Sequence, residues 1–278
     1  MPRHFVLTVA LLLGTLPAAA GELVLPVFAH NLPGRHGDVW NSELYLTNPG
    51  DQPVAVEIAR FLPGQIERPA PCGQFMSPTR VVPPRSATVW TAAGLATDLG
   101  CAESARGGLV LRTDGPVHVT SRLVNSRGGG SRPATVLSGS GEAVDAVPLR
   151  SLPAAGIHLL PALAWHRNPC DGPLFDTSVG FANPGAEPVV VTIDIPDELG
   201  RAVLLEGETV LLPHRLEIAA GSWRQLRLAP ASDGGDCGGV ESFLLRFELS
   251  APLAVYASVI DRASGDPRTV TPVHLDGE

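Results

Sequence analysis

The feature that most constrains this chain is an internal duplication. When the sequence is laid over itself at an offset of 135 residues, Asn48-Pro49-Gly50 coincides with Asn183-Pro184-Gly185. Further along the offset becomes 136, so that Cys101 coincides with Cys237 and Thr135 with Thr271. A slip of one residue over so long a stretch indicates a tandem repeat, so the two copies are expected to share one fold.

Both copies have the two-residue period of β-strands. The matching alternating apolar positions are Leu44, Leu46, Val54, Val56 and Ile58 in the first copy and Val179, Phe181, Val189, Val191 and Ile193 in the second. Such alternation places these side chains on one face of a sheet. The pattern predicts about seven short strands per copy, near residues 25–30, 42–48, 53–61, 80–91, 106–113, 116–125 and 133–138. Only Thr91–Leu99 could form a short helix. The predicted fold is all-β, with two tandem antiparallel β-sandwiches.

The repeated Asn-Pro-Gly sequence predicts a turn between two strands. Proline in the second turn position and glycine in the third are typical of a type II turn. The side chains of Asn48 and Asn183 can accept a local backbone hydrogen bond at this turn.

The domain boundaries follow from composition. Residues 1–20 have the pattern of a secretory signal, with Arg3 at the start, an apolar run, and Ala18-Ala19-Ala20 before the cleavage point. An uncleaved N-terminal anchor is the alternative. The sequence then predicts one sandwich over residues 21–140, a polar linker over 141–156 and a second sandwich over 157–278. We therefore expect a secreted or periplasmic protein that is not inserted in a membrane after signal cleavage.

Composition excludes several classes of function. The formal net charge is −8, and arginine supplies all 20 basic residues without forming a cluster. Such a chain is a poor candidate for binding nucleic acid or an anionic membrane. The 30 Gly and 27 Pro residues also argue against long helices.

The four cysteines are expected to form structural disulfides. An even number of cysteines in an exported chain favours disulfides. Cys101 and Cys237 are equivalent positions, whereas Cys72 and Cys170 lie at unrelated places in their copies. Two sandwiches that fold independently should each close their own bridge, which predicts Cys72–Cys101 and Cys170–Cys237. Free or inter-domain thiols are the alternative.

The sequence predicts no catalytic, cofactor or metal site. The histidines are scattered without metal-ligand spacing, and His118 alternates outward on a predicted strand. The most calcium-like string is Asp233-Gly234-Gly235-Asp236, and it lacks the further oxygen ligands of a calcium loop. The adjacent acids Asp197 and Glu198 should point apart, which does not suit glycoside hydrolysis. Ser138-Gly139-Ser140-Gly141 lacks the spacing of a nucleophile elbow. We expect a protein that is not an enzyme.

Tryptophans offer the most plausible ligand contacts. Trp223 has Ala87 as its counterpart and opposite parity to Leu226, which places its side chain outside the sandwich. Trp165 corresponds to His30 in the first copy. An exposed indole can stack on a sugar ring or anchor a protein partner. Burial of these two side chains under the linker or the other sandwich is the alternative, and it is the favoured one.

The strand-turn-strand pattern over Leu44–Ile58 and Val179–Ile193 resembles the Ig-like sandwich modules of exported bacterial proteins. This resemblance implies spacers, adhesins or accessory binding domains, and it carries over no functional residue. The predicted function is that of a non-catalytic structural or interaction protein of the cell envelope or extracellular space, with an unidentified protein or glycan partner. The second hypothesis is a carbohydrate-binding module that uses Trp165 or Trp223.

Overall fold

The computed structural model contains strands throughout and one short helix in the residues that it describes. The described residues are 21–33, 38–64, 72, 77–101, 104–127, 141–166, 175–196, 202–230, 240–261 and 267–275. The helix α1 (Ala92–Asp98) begins after Thr91, whose hydroxyl accepts a hydrogen bond from the Gly94 N–H. It confirms the predicted helix. Within the described ranges, no helix has the length and apolar character needed to cross a membrane.

The strands of the first copy are β1 (Gly21–His30), β2 (Leu32–Pro33), β3 (Asp38–Asn48), β4 (Val54–Pro63), β5 (Thr79–Val82), β6 (Ser86–Trp90), β7 (Ala105–Thr113), β8 (His118–Arg127), β9 (Gly141–Asp145) and β10 (Val147–Pro148). They form two antiparallel sheets. Sheet A1 has the order β10-β1-β7-β4-β5, and sheet B1 has the order β2-β3-β8-β9 with β6 also paired to β3.

The strands of the second copy are β11 (Gly156–His166), β12 (Phe175–Asn183), β13 (Val189–Asp194), β14 (Ala202–Leu205), β15 (Glu208–Leu211), β16 (His214–Ile218), β17 (Ser222–Pro230), β18 (Val240–Leu249), β19 (Ala254–Asp261), β20 (Pro267–Val270) and β21 (Val273–His274). Sheet A2 has the order β16-β13-β18-β11-β21, and sheet B2 has the order β15-β14-β17-β12-β19-β20. The predicted all-β fold with two sandwiches is confirmed.

The two copies have the same strand pairing. In sheet A1 Val24 lies opposite Val110, and in sheet A2 Leu159 lies opposite Arg246 at the equivalent register. Both first strands also carry a bulge, between Leu25 and Phe28 in one and between Leu160 and Leu163 in the other. The offsets of 135 and 136 therefore describe structural equivalence through most of each sandwich.

Each sandwich has its own apolar core, built from the alternating positions that the sequence indicates. Leu44, Leu46, Val56 and Ile58 are fully buried in the first core, together with Trp90. Their counterparts fill the second core. Trp40 is partly buried and packs against the cluster between the sandwiches.

Residues 141–148 do not form the predicted linker. They are β9 and β10, which pair with β8 and β1 and complete both sheets of the first sandwich. Val144 lies opposite Ser121 just as Val270 lies opposite Ala257 in the second copy. The first copy is therefore longer than the second between its eighth and ninth strands, and the seventh strand predicted near residues 133–138 lies outside the described residues. The connection between the sandwiches is the segment 149–155, which begins with a 3-10 turn over Leu149–Ser151.

The Asn-Pro-Gly turns are organised by the asparagine and are not type II turns. The third position of a type II turn requires a positive φ. Neither Gly50 nor Gly185 has a positive φ. The Gly50 N–H instead donates to Asn48 Oδ1 over 2.9 Å, and the Gly185 N–H donates to Asn183 Oδ1 over the same distance. The predicted role of the asparagine side chains as acceptors is confirmed.

The two sandwiches pack directly on each other. The outer face of sheet A1 meets the outer face of sheet B2 in a buried apolar cluster, to which Leu123 and Val144 of sheet B1 and Leu152 of the connection also belong. We call this cluster the inter-sandwich interface. Its buried members are Val24, Val27, Ala29, Leu62, Val110, Leu123, Val144, Leu152, Ala182, Trp223, Ala254 and Tyr256. Because the contact joins an A face to a B face, the copies are stacked head to tail.

Candidate functional site

Trp223 is buried in the inter-sandwich interface and is not an exposed ligand contact. Its side chain is 2% exposed, and its indole N–H donates to the Pro26 carbonyl over 2.7 Å. The Arg106 guanidinium lies over the indole ring at 6.0 Å from its centroid. The strand parity correctly placed the indole outside its own sandwich, but the first sandwich covers that face. The favoured alternative of burial under the other sandwich is the observed one.

Trp165 is also buried, and it belongs to the core of the second sandwich. Its ring stacks on Phe243 with 4.2 Å between centroids, and its N–H donates to Glu241 Oε2 over 3.2 Å. Its side chain is 2% exposed. The carbohydrate-binding hypothesis required exposed indoles, so the two residues on which it depended cannot serve as stacking platforms.

The predicted Cys72–Cys101 disulfide is confirmed, with 3.9 Å between the two Cα atoms. It ties the segment before β5 to the end of α1. A disulfide is typical of proteins that fold outside the reducing cytosol. The predicted Cys170–Cys237 bridge lies outside the described residues.

The remaining polar candidates form no reactive cluster in the part of the chain that the structure describes. His118 is exposed on β8, as its alternation predicted. Among the described residues, no group of three or more His, Cys, Asp or Glu side chains is placed to hold a metal ion. The Asp233–Asp236 string, the pair Asp197 and Glu198, and Ser138–Ser140 lie outside the described residues.

A buried histidine marks the junction of β11 and β21. The His158 ring stacks on Phe247 with 5.4 Å between centroids and lies 4.7 Å from the ring of His274. Burial lowers the pKa of His158 below its ordinary value; the hydrogen bond to the Ala154 carbonyl raises it, and the nearby His274 lowers it further. The lowered pKa means that this site favours the neutral form of the ring. The equivalent position in the first copy is Leu23, which is apolar.

The candidate interaction site is an exposed apolar area on the outer face of sheet A2. Val273 lies directly opposite Leu159, and the Leu275 N–H donates to the Ile157 carbonyl over 3.1 Å. His158 and Leu160 are buried, and they alternate along β11 with Ile157 and Leu159. The side chains of Ile157 and Leu159 therefore point away from the core. Directly opposed side chains lie on the same face. Val273 is 54% exposed and Leu275 is 42% exposed.

We call this area the A2 apolar face. Its members are Ile157, Leu159, Leu244, Val273 and Leu275. Charged side chains of the central strand β18 lie beside it on the same face, since Arg246 lies opposite Leu159 and Glu248 opposite Ile157. Arg246 also approaches Asp194, with 4.0 Å between Nη1 and Oδ2. The aliphatic side chains of the A2 apolar face therefore lie toward the β21 edge of sheet A2, next to charged side chains of its central strand.

Sequence reasoning missed this face. The alternation of Ile157 and Leu159 with buried neighbours was a usable signal for two outward aliphatic residues. The other part of the A2 apolar face comes from β21, which is only two residues long and too short to give a strand pattern. Its place beside β11 follows from tertiary pairing, which the local sequence does not encode.

Comparison with known proteins identifies no family. No family model and no curated protein matches the chain. Among solved structures, one described as "Crystal Structure of Thermotoga maritima 1070" is similar over 46% of this chain and 100% of that chain, at 16% sequence identity and a TM-score of 0.29. A likeness at this level carries no argument about fold or function.

Proposed function

We propose that this protein is a non-catalytic interaction module of the cell envelope or extracellular space. In this proposal its two sandwiches are Ig-like modules that act as one unit. The disulfide supports an exported location, since such bonds persist in oxidising compartments. The direct packing of the sandwiches through a buried tryptophan supports a unit with a fixed shape.

The A2 apolar face is the observation that carries the proposal. Its aliphatic side chains have no acid-base or nucleophilic groups, so they can contribute binding but not chemistry. Val273 and Leu275 expose apolar surface that a partner could remove from water. Neighbouring aliphatic side chains at a sheet edge are better suited to a protein than to a sugar, because they offer no hydrogen-bonding groups to sugar hydroxyls.

Affinity capture tests the proposal. We would immobilise the wild type, Val273→Glu and Val81→Glu, and expose each to envelope extract and culture fluid of the source organism. Val81 is a matched control because it is also a valine on a strand, is 60% exposed, and lies on sheet A1. We expect a protein retained by the wild type and by Val81→Glu but lost from Val273→Glu. Equal retention by all three, or retention by none, contradicts the proposal.

A further inference from the structure

We infer that two facing histidines, His158 of β11 and His274 of β21, make the attachment of β21 sensitive to pH, so that acidification releases this strand from the edge of sheet A2 while the rest of the fold persists. The released segment includes Val273 and Leu275, which belong to the A2 apolar face. Release therefore dismantles the candidate interaction site, a consequence that rests on the proposed function. The inference about the strand itself needs no partner.

Few backbone contacts hold β21 at the edge of sheet A2. The strand is two residues long, and its register places His274 opposite His158. The Leu275 N–H adds one hydrogen bond to the Ile157 carbonyl, over 3.1 Å. Local opening costs least where a segment has few buried contacts. A change at a single contact can therefore release this strand without unfolding the sandwich.

The two imidazole rings contact each other at this edge. Their centroids lie 4.7 Å apart, and the His158 ring also stacks on Phe247. His158 is buried, whereas His274 is exposed. A Cβ built at Gly156 would lie 3.4 Å from the Cε1 atom of His274, so the His274 ring lies close to that glycine. Protonation of both rings brings two positive charges together where one of them is shielded from water.

The charged groups nearest to this site in the described strands do not compensate an imidazolium at His158. The residue opposite it on β18 is Phe247. Arg224 of β17 and Arg268 of β20 share the core-facing parity of their strands, and both are cations. The connection between the sandwiches, which passes the His158 ring, has one charged residue, Arg150, and it is again a cation.

The acids that face the core of the second sandwich lie at its opposite end. Glu241 of β18 accepts the hydrogen bond from the Trp165 indole near the end of β11. Asp261 of β19 lies opposite Phe175 at the start of β12. Glu248 lies opposite Ile157 and shares its outward orientation. In the described part of these strands, no carboxylate therefore faces the end of the core where the two histidines meet.

Acidification acts on the attached strand in one direction. Burial, the largest cause, and the neighbouring His274 lower the pKa of His158, and the hydrogen bond to the Ala154 carbonyl opposes them. Release of β21 opens the ring to water and separates the two histidines, so the released form binds the proton more readily. The attachment is therefore most stable above the ordinary histidine pKa of about 6.5 and weakens as the pH falls toward the lowered value.

The first copy contains the same arrangement without the histidines. Its two-residue strand β10 pairs with β1 at the equivalent register, where Leu23 lies opposite Pro148. These residues take the positions of His158 and His274. Only the second copy thus has ionisable groups at both paired positions, and this double difference is the observation that carries the inference. It also makes β10 an internal reference for β21.

Hydrogen–deuterium exchange with mass spectrometry tests the inference on the full chain at pH 7 and pH 5. Rates are divided by those of an unstructured chain at the same pH, which gives a protection factor for each segment. We expect the protection of β21 to fall about tenfold at pH 5, with β10 and β12 unchanged within about twofold. Unchanged protection of β21, or an equal loss in β12 that reports unfolding of the whole sandwich, overturns the inference.

Two substitutions separate the histidines from other effects of acid. His158→Leu installs the residue of the first copy, and β21 should then keep its protection at pH 5. His274→Gln removes one of the two charges, so the loss should be smaller than in the wild type. His118→Gln changes an exposed histidine on β8 and is the matched control, which should behave as the wild type does. The full wild-type loss in either His158→Leu or His274→Gln overturns the inference.

The result is decided without the partner and without the buried substitution. Circular dichroism verifies that His158→Leu is folded; if it is not, His274→Gln gives the decision, because it changes an exposed side chain. Hydrogen exchange uses the protein alone. A released strand without a captured partner therefore argues against the proposed function alone, whereas a captured partner with a strand that stays attached at pH 5 argues against this inference alone.

Discussion

At the residue scale, one asparagine in each copy holds three segments together. The Asn183 carboxamide accepts from the Gly185 N–H and donates to the carbonyls of Glu187, Ile218 and Ala219. Asn48 makes the same four contacts, with the carbonyls of Gln52, Val82 and Pro83. The glycine leaves room for this contact, because a Cβ at Gly185 would lie 3.0 Å from Asn183 Oδ1.

Replacing this asparagine by aspartate should destabilise the fold. Asn183→Asp keeps the shape and the acceptor but removes the donor and faces a charge toward three carbonyl oxygens. We expect a loss of about 2–4 kcal/mol in the free energy of unfolding, since buried acceptors lose their partner and a buried charge is added. Urea unfolding measures the change, and Asn48→Asp should give a similar loss. Unchanged stability in both variants would contradict the role of the carboxamide.

The buried His158 should make stability dependent on pH. Its folded-state pKa is lowered by burial, so the unfolded chain binds its proton more readily. Stability is therefore complete above the unfolded pKa of about 6.5 and falls as the pH drops below that value toward the folded pKa. His30, whose pKa burial also lowers, contributes in the same direction.

His158→Leu installs the residue that the first copy has at this position. We expect a weaker loss of stability between pH 7 and pH 5 than in the wild type, with the remainder due to His30 and other groups. Thermal unfolding across this range measures it, with His118→Leu as the control for replacing an exposed histidine by leucine. An identical pH profile in His158→Leu and the wild type would show that the buried ring is not the responsible group.

At the element scale, one backbone conformation is adopted by different residues in the two copies. It occurs in the turn between the fifth and sixth strands of the first copy and in the equivalent turn of the second. Arg85 has a φ of 49°, and the equivalent Gly221 has a φ of 59°. Each N–H donates to the carbonyl of the Asn-Pro-Gly glycine, Gly50 or Gly185. Glycine adopts this left-handed conformation without the steric cost that other residues meet.

Exchanging these residues should change stability in opposite directions. Gly221→Ala should cost about 1 kcal/mol, and Arg85→Gly should stabilise by up to about 1 kcal/mol. No atom lies within 4 Å of a Cβ built at Gly221, so the cost comes from the backbone alone. The ion pair of Arg85 with Asp51 joins two highly exposed side chains and should contribute little. Chemical denaturation compares the two; changes of the same sign would refute the argument.

Sequence reasoning recovered those elements whose signals are local. The alternation of Val54, Val56 and Ile58 predicted a strand, and Thr91 marked the start of the helix. Sequence reasoning did not predict β9, for two reasons. The additional residues before that strand shift the register of the repeat, and the glycine-rich segment around Gly141 is typical of a linker. The same reasoning placed Trp223 on the correct face of its strand but not under a neighbouring sandwich, since burial between sandwiches depends on contacts far apart in sequence.

At the scale of the whole molecule, head-to-tail stacking gives the two copies different surfaces. The outer faces of sheets A1 and B2 are buried in the inter-sandwich interface. The outer faces of sheets A2 and B1 lie at opposite ends of the molecule. The end formed by sheet B1 carries the polar Thr47, His118 and Thr120 together with one exposed aliphatic side chain, that of Val89. The end formed by sheet A2 exposes two aliphatic side chains close together, Val273 and Leu275, and this clustering is the reason that we place the interaction site there.

The inter-sandwich interface should make the two sandwiches unfold together. We expect one calorimetric transition in the wild type, because unfolding either sandwich would expose the apolar cluster around Trp223. Trp223→Ala removes the largest buried side chain of the interface and its hydrogen bond to Pro26. A buried tryptophan truncated to alanine typically costs about 3–5 kcal/mol, and here the loss falls on the coupling between sandwiches. The variant should therefore show two separate transitions in differential scanning calorimetry.

Trp165→Ala is the matched control for this experiment. It truncates an equally buried indole, but one that belongs to the core of the second sandwich and stacks on Phe243. We expect a marked destabilisation of the second sandwich without loss of the interface contacts around Trp223. If Trp223→Ala retains a single transition shifted to lower temperature, the sandwiches are coupled by the remaining interface residues, and the indole is not the group that joins them.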